Sequence, residues 1–506
     1  MAAGNVSLTR GSIADTSDIE SQISSARTSL DTIACIDGRE KLDWSWSEDP
    51  DNPLNWPKTK KWTHILLVAS LAFSVPFGSA IFTPALDNVA YALASDNRSL
   101  ADLSVSSYVL GFAVGPLVVA PLSEVFGRLP IYLIFNSVFL VGNLACSTAW
   151  SVEMLILFRF LTGCAGASPL TQGSGTISDI IEKGKHGKAM AVMAFGAVCG
   201  PILGPMLGGF IAERITWRAC FGLLSIIAII NQALMHLLMC ESSHSKILSL
   251  RARTQMQQAG EYLLPITLEP EVSIPRKLMV AAARPFKLLM SPCILPLSLV
   301  SAVFYSVQVL LYMTIPRVYK ERYDFSIKQA GAGFIGIGIG MVIGLFAFGL
   351  LSDRLKAYLA GDGEQKPEYG LAIMLGGCIL VGTSLLVYGW SAEIRAPWVV
   401  PLLANVATGA GLYSISMPLA AYFIGVSPHH AVASSATLQI VRSWTGSLLP
   451  IIGDQIIVSL GTGQGIAVLG GATLATFPVI YWFYSRGDWI RVRFPIEWTL
   501  GELRKR

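Results

Sequence analysis

The chain alternates between long apolar stretches and short polar ones, and the apolar stretches share a common scale. Twelve runs of 20 residues or more, nearly free of charge, lie at 62–85, 103–122, 131–150, 153–177, 188–211, 217–240, 292–315, 330–351, 369–390, 397–423, 432–459 and 464–484. A helix needs about 20 residues to cross roughly 30 Å of hydrocarbon, so each run predicts a membrane-spanning helix. The runs form two groups of six, 62–240 and 292–484, joined by a polar segment, 241–291. The predicted fold class is an all-α integral membrane protein with two pseudo-symmetric six-helix halves, the layout of transporters whose substrate site lies between the halves near the bilayer midplane.

The flanks, 1–61 and 485–506, are polar. The first 61 residues are Ser-rich and lack the apolar core of a secretory signal. They are expected to be largely disordered, with "DNPLNWPKTKKW" as an interfacial anchor and the first span as the targeting element.

Composition agrees with the spans: 53% of residues are hydrophobic, 14% are charged, and mean hydropathy is +0.55. With both termini inside, the segments from residue 58 onward place 23 Lys and Arg on the cytoplasmic side and eight outside. That asymmetry sets the orientation, although "RVYKERYDFSIK" after span seven is a basic exception on the outside. The sequon at Asn97 falls outside and is a candidate glycosylation site. Eight cysteines show neither a disulfide framework nor metal-ligand spacing, so no metal site is expected.

The candidate chemistry lies in a few polar residues. "PLSEVFGR" ends span two and turns at Gly127, leaving Glu124 and Arg128 free to reach each other or a neighbouring helix end as a gate latch. "GLLSDRLKAYL" after span eight is a weak counterpart, with Asp353 and Arg354. Arg159 stands six residues into span four and Arg442 ten into span eleven; charges so placed face the protein interior or water. The acids are less helpful for proton coupling: Asp87, Glu153, Glu213 and Asp454 fall near outer span ends, Asp179 and Asp353 near inner ones. His236 reads as a hydrogen-bonded core residue, and the pair His429 and His430 as part of a solvated loop. Tyr305, Gln308 and Tyr312 share one stripe of span seven; with Phe73, Phe77, Gln172, Tyr413 and Trp444 they are candidate substrate contacts, although each also suits helix packing.

Two glycine-rich runs need separating. "GAGFIGIGIGMVIG" lies inside an apolar span without a preceding strand or a phosphate-binding Lys, so it reads as close helix packing. In span five, Gly196, Gly200, Gly204 and Gly208 recur every four residues beside Gly209, Pro201 and Pro205, a face that a second helix can approach closely.

"SYVLGFAVGPLVVAPLSEVFGRLPIY", "LFRFLTGCAGASPLTQGSGTISDI" and "GAVCGPILGPMLGG" together resemble the second, fourth and fifth spans of major facilitator superfamily transporters, in particular the twelve-span fungal drug:proton antiporters. The resemblance implies that fold, roles for Glu124, Gly127 and Arg128 in gating, and a role for Arg159 in proton movement or in holding the outer cavity. It also matches the span-five run to an antiporter-associated signature. The departures are Ala120 and Leu129 in the loop after span two, and Gly425 where the branch carries an acid after span ten.

The expected function is export of a small organic compound such as a drug, toxin or secondary metabolite by proton antiport. Uptake of a nutrient and a non-transporting receptor are the alternatives. No enzyme activity, nucleic-acid partner or cofactor is expected; the energy source is the proton gradient. The partners expected are the substrate, protons and the bilayer, with the chain working as a monomer in the plasma membrane, or in a vacuolar or vesicle membrane.

Overall fold

The computed structural model describes residues 46, 49–93, 98–182, 187–259, 274–361, 366–426 and 431–494. Asn97 and the His429/His430 pair lie outside the described residues. The first half consists of α1 (Lys58–Ala80), α2 (Arg98–Phe126), α3 (Arg128–Ser147), α4 (Val152–Ile180), α5 (Gly187–Arg214) and α6 (Trp217–Leu238). The second consists of α7 (Leu295–Tyr323), α8 (Phe334–Ala360), α9 (Leu371–Glu393), α10 (Val399–Val426), α11 (Ala431–Leu460) and α12 (Thr462–Leu474), which continues after a two-residue break as α13 (Phe477–Arg493). Prolines such as Pro76, Pro169 and Pro418 stay inside helices, as lipid permits: exposed backbone polar groups have no water there, so the helix persists around the lost bond.

Among the described residues, eleven helices are long and apolar enough to span a membrane. The helix missing from that set is α11, which carries Gln439, Arg442 and Asp454. Its 30 residues would rise about 45 Å, and its long contacts run against α2 and α7. A helix that faces protein along its length does not need a continuous apolar run.

The packing repeats with an offset of six labels. In the first half α1 packs on α5, α2 on α4 and α3 on α6; in the second, α7 packs on α11, α8 on α10 and α9 on α12. The main contacts between halves, α2 with α11 and α5 with α8, are exchanged by the same operation. The glycine run of α8 serves this packing: added side chains at Gly340 and Gly344 would meet carbonyl oxygens of Val406 and Ala410 on α10 at 2.0 and 2.5 Å.

Two boundaries differ from expectation in ways that matter. Helix α7 runs two turns past 315 and absorbs most of the basic outside run. Helix α8 continues to Ala360, so Asp353 and Arg354 lie within it and not in a turn after it.

Candidate functional site

At one end of the bundle, the one expected to face the cytoplasm, α2 hands over to α3 at Gly127, whose φ of 97° is a conformation that a side chain disfavours. The turn is held from a distance: the Glu241 carboxylate, just past α6, accepts from the backbone N–H of Arg128 at 2.8 Å and of Leu129 at 3.1 Å. An added Cβ on Gly127 would stand 2.5 Å from that carboxylate. The Arg128 side chain donates to Asp179 at the end of α4 (3.2 Å) and to Ser123 (2.9 Å). Of the two arrangements expected, Arg128 thus takes the neighbouring helix end and does not pair with Glu124. Glu124 turns outward to Arg284, 3.5 Å away, in the helix Ile274–Leu289 between the halves. Glu241→Ala strips the acceptor from several N–H groups and is expected to cost about 1–3 kcal/mol. Glu124→Ala breaks an exposed pair worth at most about 1 kcal/mol. Thermal unfolding of the two variants should rank them in that order; equal melting temperatures would refute the assignment.

The second half builds a counterpart that sequence reasoning did not locate. Glu368, buried ahead of α9, stands 3.1 Å from the Arg491 guanidinium of α13, and Lys366 donates to Asp488 at 2.5 Å. That hydrogen bond holds the Lys366 ammonium above its usual pKa. Gly425, where an acid was missing, packs against Pro367 of the same turn. The acid at this end comes from before α9 instead. Arg354 is exposed.

Near the middle of the bundle, α7, α10 and α11 bring several candidates together. The Arg442 guanidinium lies over the Tyr305 ring at 5.0 Å and donates to Gln439, while its Nε has no hydrogen-bond partner. Gln308 donates to the Tyr312 hydroxyl at 2.5 Å, and Tyr413 lies within reach of the Arg442 charge. Gln172 on α4 is fully buried and donates to Ser168, leaving its carbonyl oxygen unpaired. Three other candidates are placed elsewhere. Phe77 is buried in the first-half core, stacked on the half-buried Phe73 at 5.0 Å. Trp444 is 48% exposed on a stripe with Leu448 and Ile452, about 200° around the helix from Arg442. His236, expected in the core, is exposed and bonds to its own helix at Gln232.

Arg159 has an enclosed environment. It is fully buried, donates to the carbonyls of Gly78 (2.7 Å), Ser79 (3.2 Å) and Ser104 (3.3 Å), and lies against the rings of Tyr108 and Phe82 at 4.2 and 4.5 Å. These three acceptors are all backbone carbonyls. This is the environment of a fixed cation at a helix end.

At the opposite end of the bundle, the halves meet tightly. Lys320 pairs with Asp87 at 2.7 Å, Glu213 accepts from the Lys328 backbone N–H at 2.8 Å, and an added Cβ on Gly331 would meet the Pro205 carbonyl at 2.4 Å. Arg317 bonds Asp454 (2.7 Å) and Arg322 bonds Glu393 (3.2 Å). The basic exception to the orientation rule is thus matched by acids at the outer ends of neighbouring helices. The cavity among Asp87, Arg317, Lys320 and Asp454 measures about 40 Å³, far below the roughly 300 Å³ of a small organic ligand's site, so it cannot itself hold such a ligand.

The span-five glycines divide their work. Added side chains at Gly196, Gly200, Gly204 and Gly208 would each strike the backbone of α1 or the turn after it, at 1.6–2.9 Å. Gly209 and Pro205 instead face Ile327 and Gly331 of the other half. The stripe locks α5 to α1 within one half, and only its outer end touches the other.

The profile of the Major Facilitator Superfamily matches residues 68–450. The MFS-type transporter atr4 of Stereocaulon alpinum is 38% identical over 451 residues, covering 89% of this chain and 82% of that protein. The efflux pump radE of Floropilus chiversii is 34% identical over 467 residues, covering 90% and 87%. Among solved structures, a partially occluded inward-open form of the xylose transporter XylE from E. coli superposes with a TM-score of 0.62 at 15% identity, covering 85% of this chain and 98% of that one. The human organic anion transporter MFSD10 superposes with a TM-score of 0.56 at 16% identity, covering 84% and 100%. The fold and its charged interior define a multi-pass membrane transporter. The chain belongs to the major facilitator superfamily.

Proposed function

We propose that this transporter exports a small organic compound, a drug, toxin or secondary metabolite, across the plasma membrane in exchange for protons. The observation that carries the reading is the cluster of Tyr305, Gln308, Tyr312, Tyr413 and Arg442 in the interior, with an unpaired guanidinium N–H beside aromatic surface. Such a site suits an organic molecule with an acceptor oxygen and an apolar body. The direction rests on the antiporter-type form of α5 and on a relative named as an efflux pump. The Arg128–Asp179–Glu241 network and the Glu368–Arg491 pair would act as cytoplasmic latches in an alternating-access cycle.

Purified protein in vesicles with an imposed pH gradient, screened by counterflow, tests this. Export predicts substrate movement against the proton flow that collapses with an uncoupler; uncoupler-insensitive equilibration would favour facilitated diffusion. Arg442→Ala is expected to cut flux at least tenfold, in the range lost when a charged interior contact is removed, with melting temperature nearly unchanged. Full flux in that variant would remove Arg442 from the site.

A further inference from the structure

The helix Ile274–Leu289 carries apolar side chains on two opposite faces, and the protein covers only one. On the covered face Leu288 is fully buried in the second-half core, and the Pro285 carbonyl accepts from the Thr437 hydroxyl of α11 at 3.2 Å. From the helix's basic flank Arg284 reaches Glu124 on α2. The helix therefore straddles the α2–α11 seam between the halves at its cytoplasmic end.

On the opposite side Met279, Phe286 and Met290 are 68%, 51% and 80% exposed. Separations of seven and eleven residues put them within about 20° of a single line at 100° per residue. Lys287 is exposed on the same flank as Arg284, between the apolar stripe and the protein. The stripe does not end with the helix. It leads into Leu295 and Leu299, 38% and 50% exposed on the first turns of α7, and Phe126 is 42% exposed at the end of α2. Those residues belong to helices long and apolar enough to cross the bilayer, so the stripe joins the surface that meets lipid. A helix with an apolar stripe flanked by basic residues, at the edge of that surface, has the character of an interfacial helix.

We infer that Ile274–Leu289 is seated in the cytoplasmic leaflet, with Met279, Phe286 and Met290 at the acyl boundary and Lys287 on anionic phospholipid headgroups. The bilayer then holds from outside a helix that already grips both halves from within. This rests on membrane embedding alone and not on the direction or substrate of transport.

The test uses the full chain in nanodiscs, in a background lacking Cys35 and the exposed Cys240, with a nitroxide on Phe286→Cys and a control on Arg354→Cys. The label at 286 should collide more with oxygen than with a water-soluble nickel chelate. Adding about 30% phosphatidylserine to phosphatidylcholine should lower chelate collisions at least twofold there, through attraction of the basic flank. Lys287→Glu should abolish that second response. Chelate collisions as frequent as at the Arg354 control would place the stripe in water and overturn the proposal. Low collisions with both reagents would show a protein segment, such as residues 1–45, covering it, and would overturn it equally. Indifference to phosphatidylserine would refute the headgroup contact.

Discussion

Replacing Arg159 with Met is expected to abolish transport in every mode and to lower the melting temperature of the purified protein. The reason lies at the end of α1, whose last four carbonyls have no partners within the helix. Phe77 is met by the N–H of Ile81 and Ala80 by the Thr83 hydroxyl, and Gly78 and Ser79 are met by Arg159 alone among their described side-chain donors. The guanidinium also complements the negative end of the α1 dipole. Removing it leaves two buried carbonyls, those of Gly78 and Ser79, each worth about 1–3 kcal/mol when unmet, while the Ser104 carbonyl keeps the Ser107 hydroxyl. Arg159→Lys should be intermediate, because a compact ammonium cannot reproduce the planar fork that spans α1 and α2. The decisive comparison is between modes. If the role is positioning, downhill exchange and proton-coupled flux fail together. Loss of coupled flux with downhill exchange intact would instead assign Arg159 to proton movement.

Gly208→Ala is expected to be the most damaging single methyl addition in the first half. Its Cβ would lie 1.6 Å from the Ile81 carbonyl oxygen, a backbone atom just past α1 that cannot rotate away. Overpacking usually costs about 1–3 kcal/mol when side chains can adjust, and here the helices themselves must separate. The folded yield should fall severalfold and the melting temperature with it. Gly376→Ala is the control: nothing lies within 4 Å of its added Cβ, so it should behave like the parent. Equal yields for the two would show that α5 does not depend on contact at Gly208.

Much of the architecture was legible before any coordinate. Residence in lipid depends on the hydropathy of some 20 neighbouring residues, so spans can be counted one at a time. The exception shows the limit: α11 is too polar for that criterion because it is solvated by α2 and α7, helices more than a hundred residues away in sequence. The local motif around Gly127 was visible as a turn with an acid and a base, but not the partners. Glu241 lies 113 residues from Arg128, and Arg284 lies 160 from Glu124. The nearer acid lost Arg128 because the turn points its guanidinium at Asp179, while Glu124 faces away along α2. Arg159 was identifiable as an interior charge, but its capping of α1 was not, since sequence gives no register between helices. Trp444 looked like a substrate contact because aromatic character is local, whereas the face it occupies depends on which neighbours α11 has.

Sequence by itself determined that this chain is a membrane protein of two six-helix halves and that the glycine runs are packing faces. Each of these follows from how a short segment partitions between water, interface and hydrocarbon. Only the tertiary structure decided which charges are latched, which glycines touch which helix, and where a guanidinium with an unmet Nε–H meets aromatic surface. Those depend on rotation and depth of helices against one another, and a shift of one residue turns a side chain by about 100° to another face.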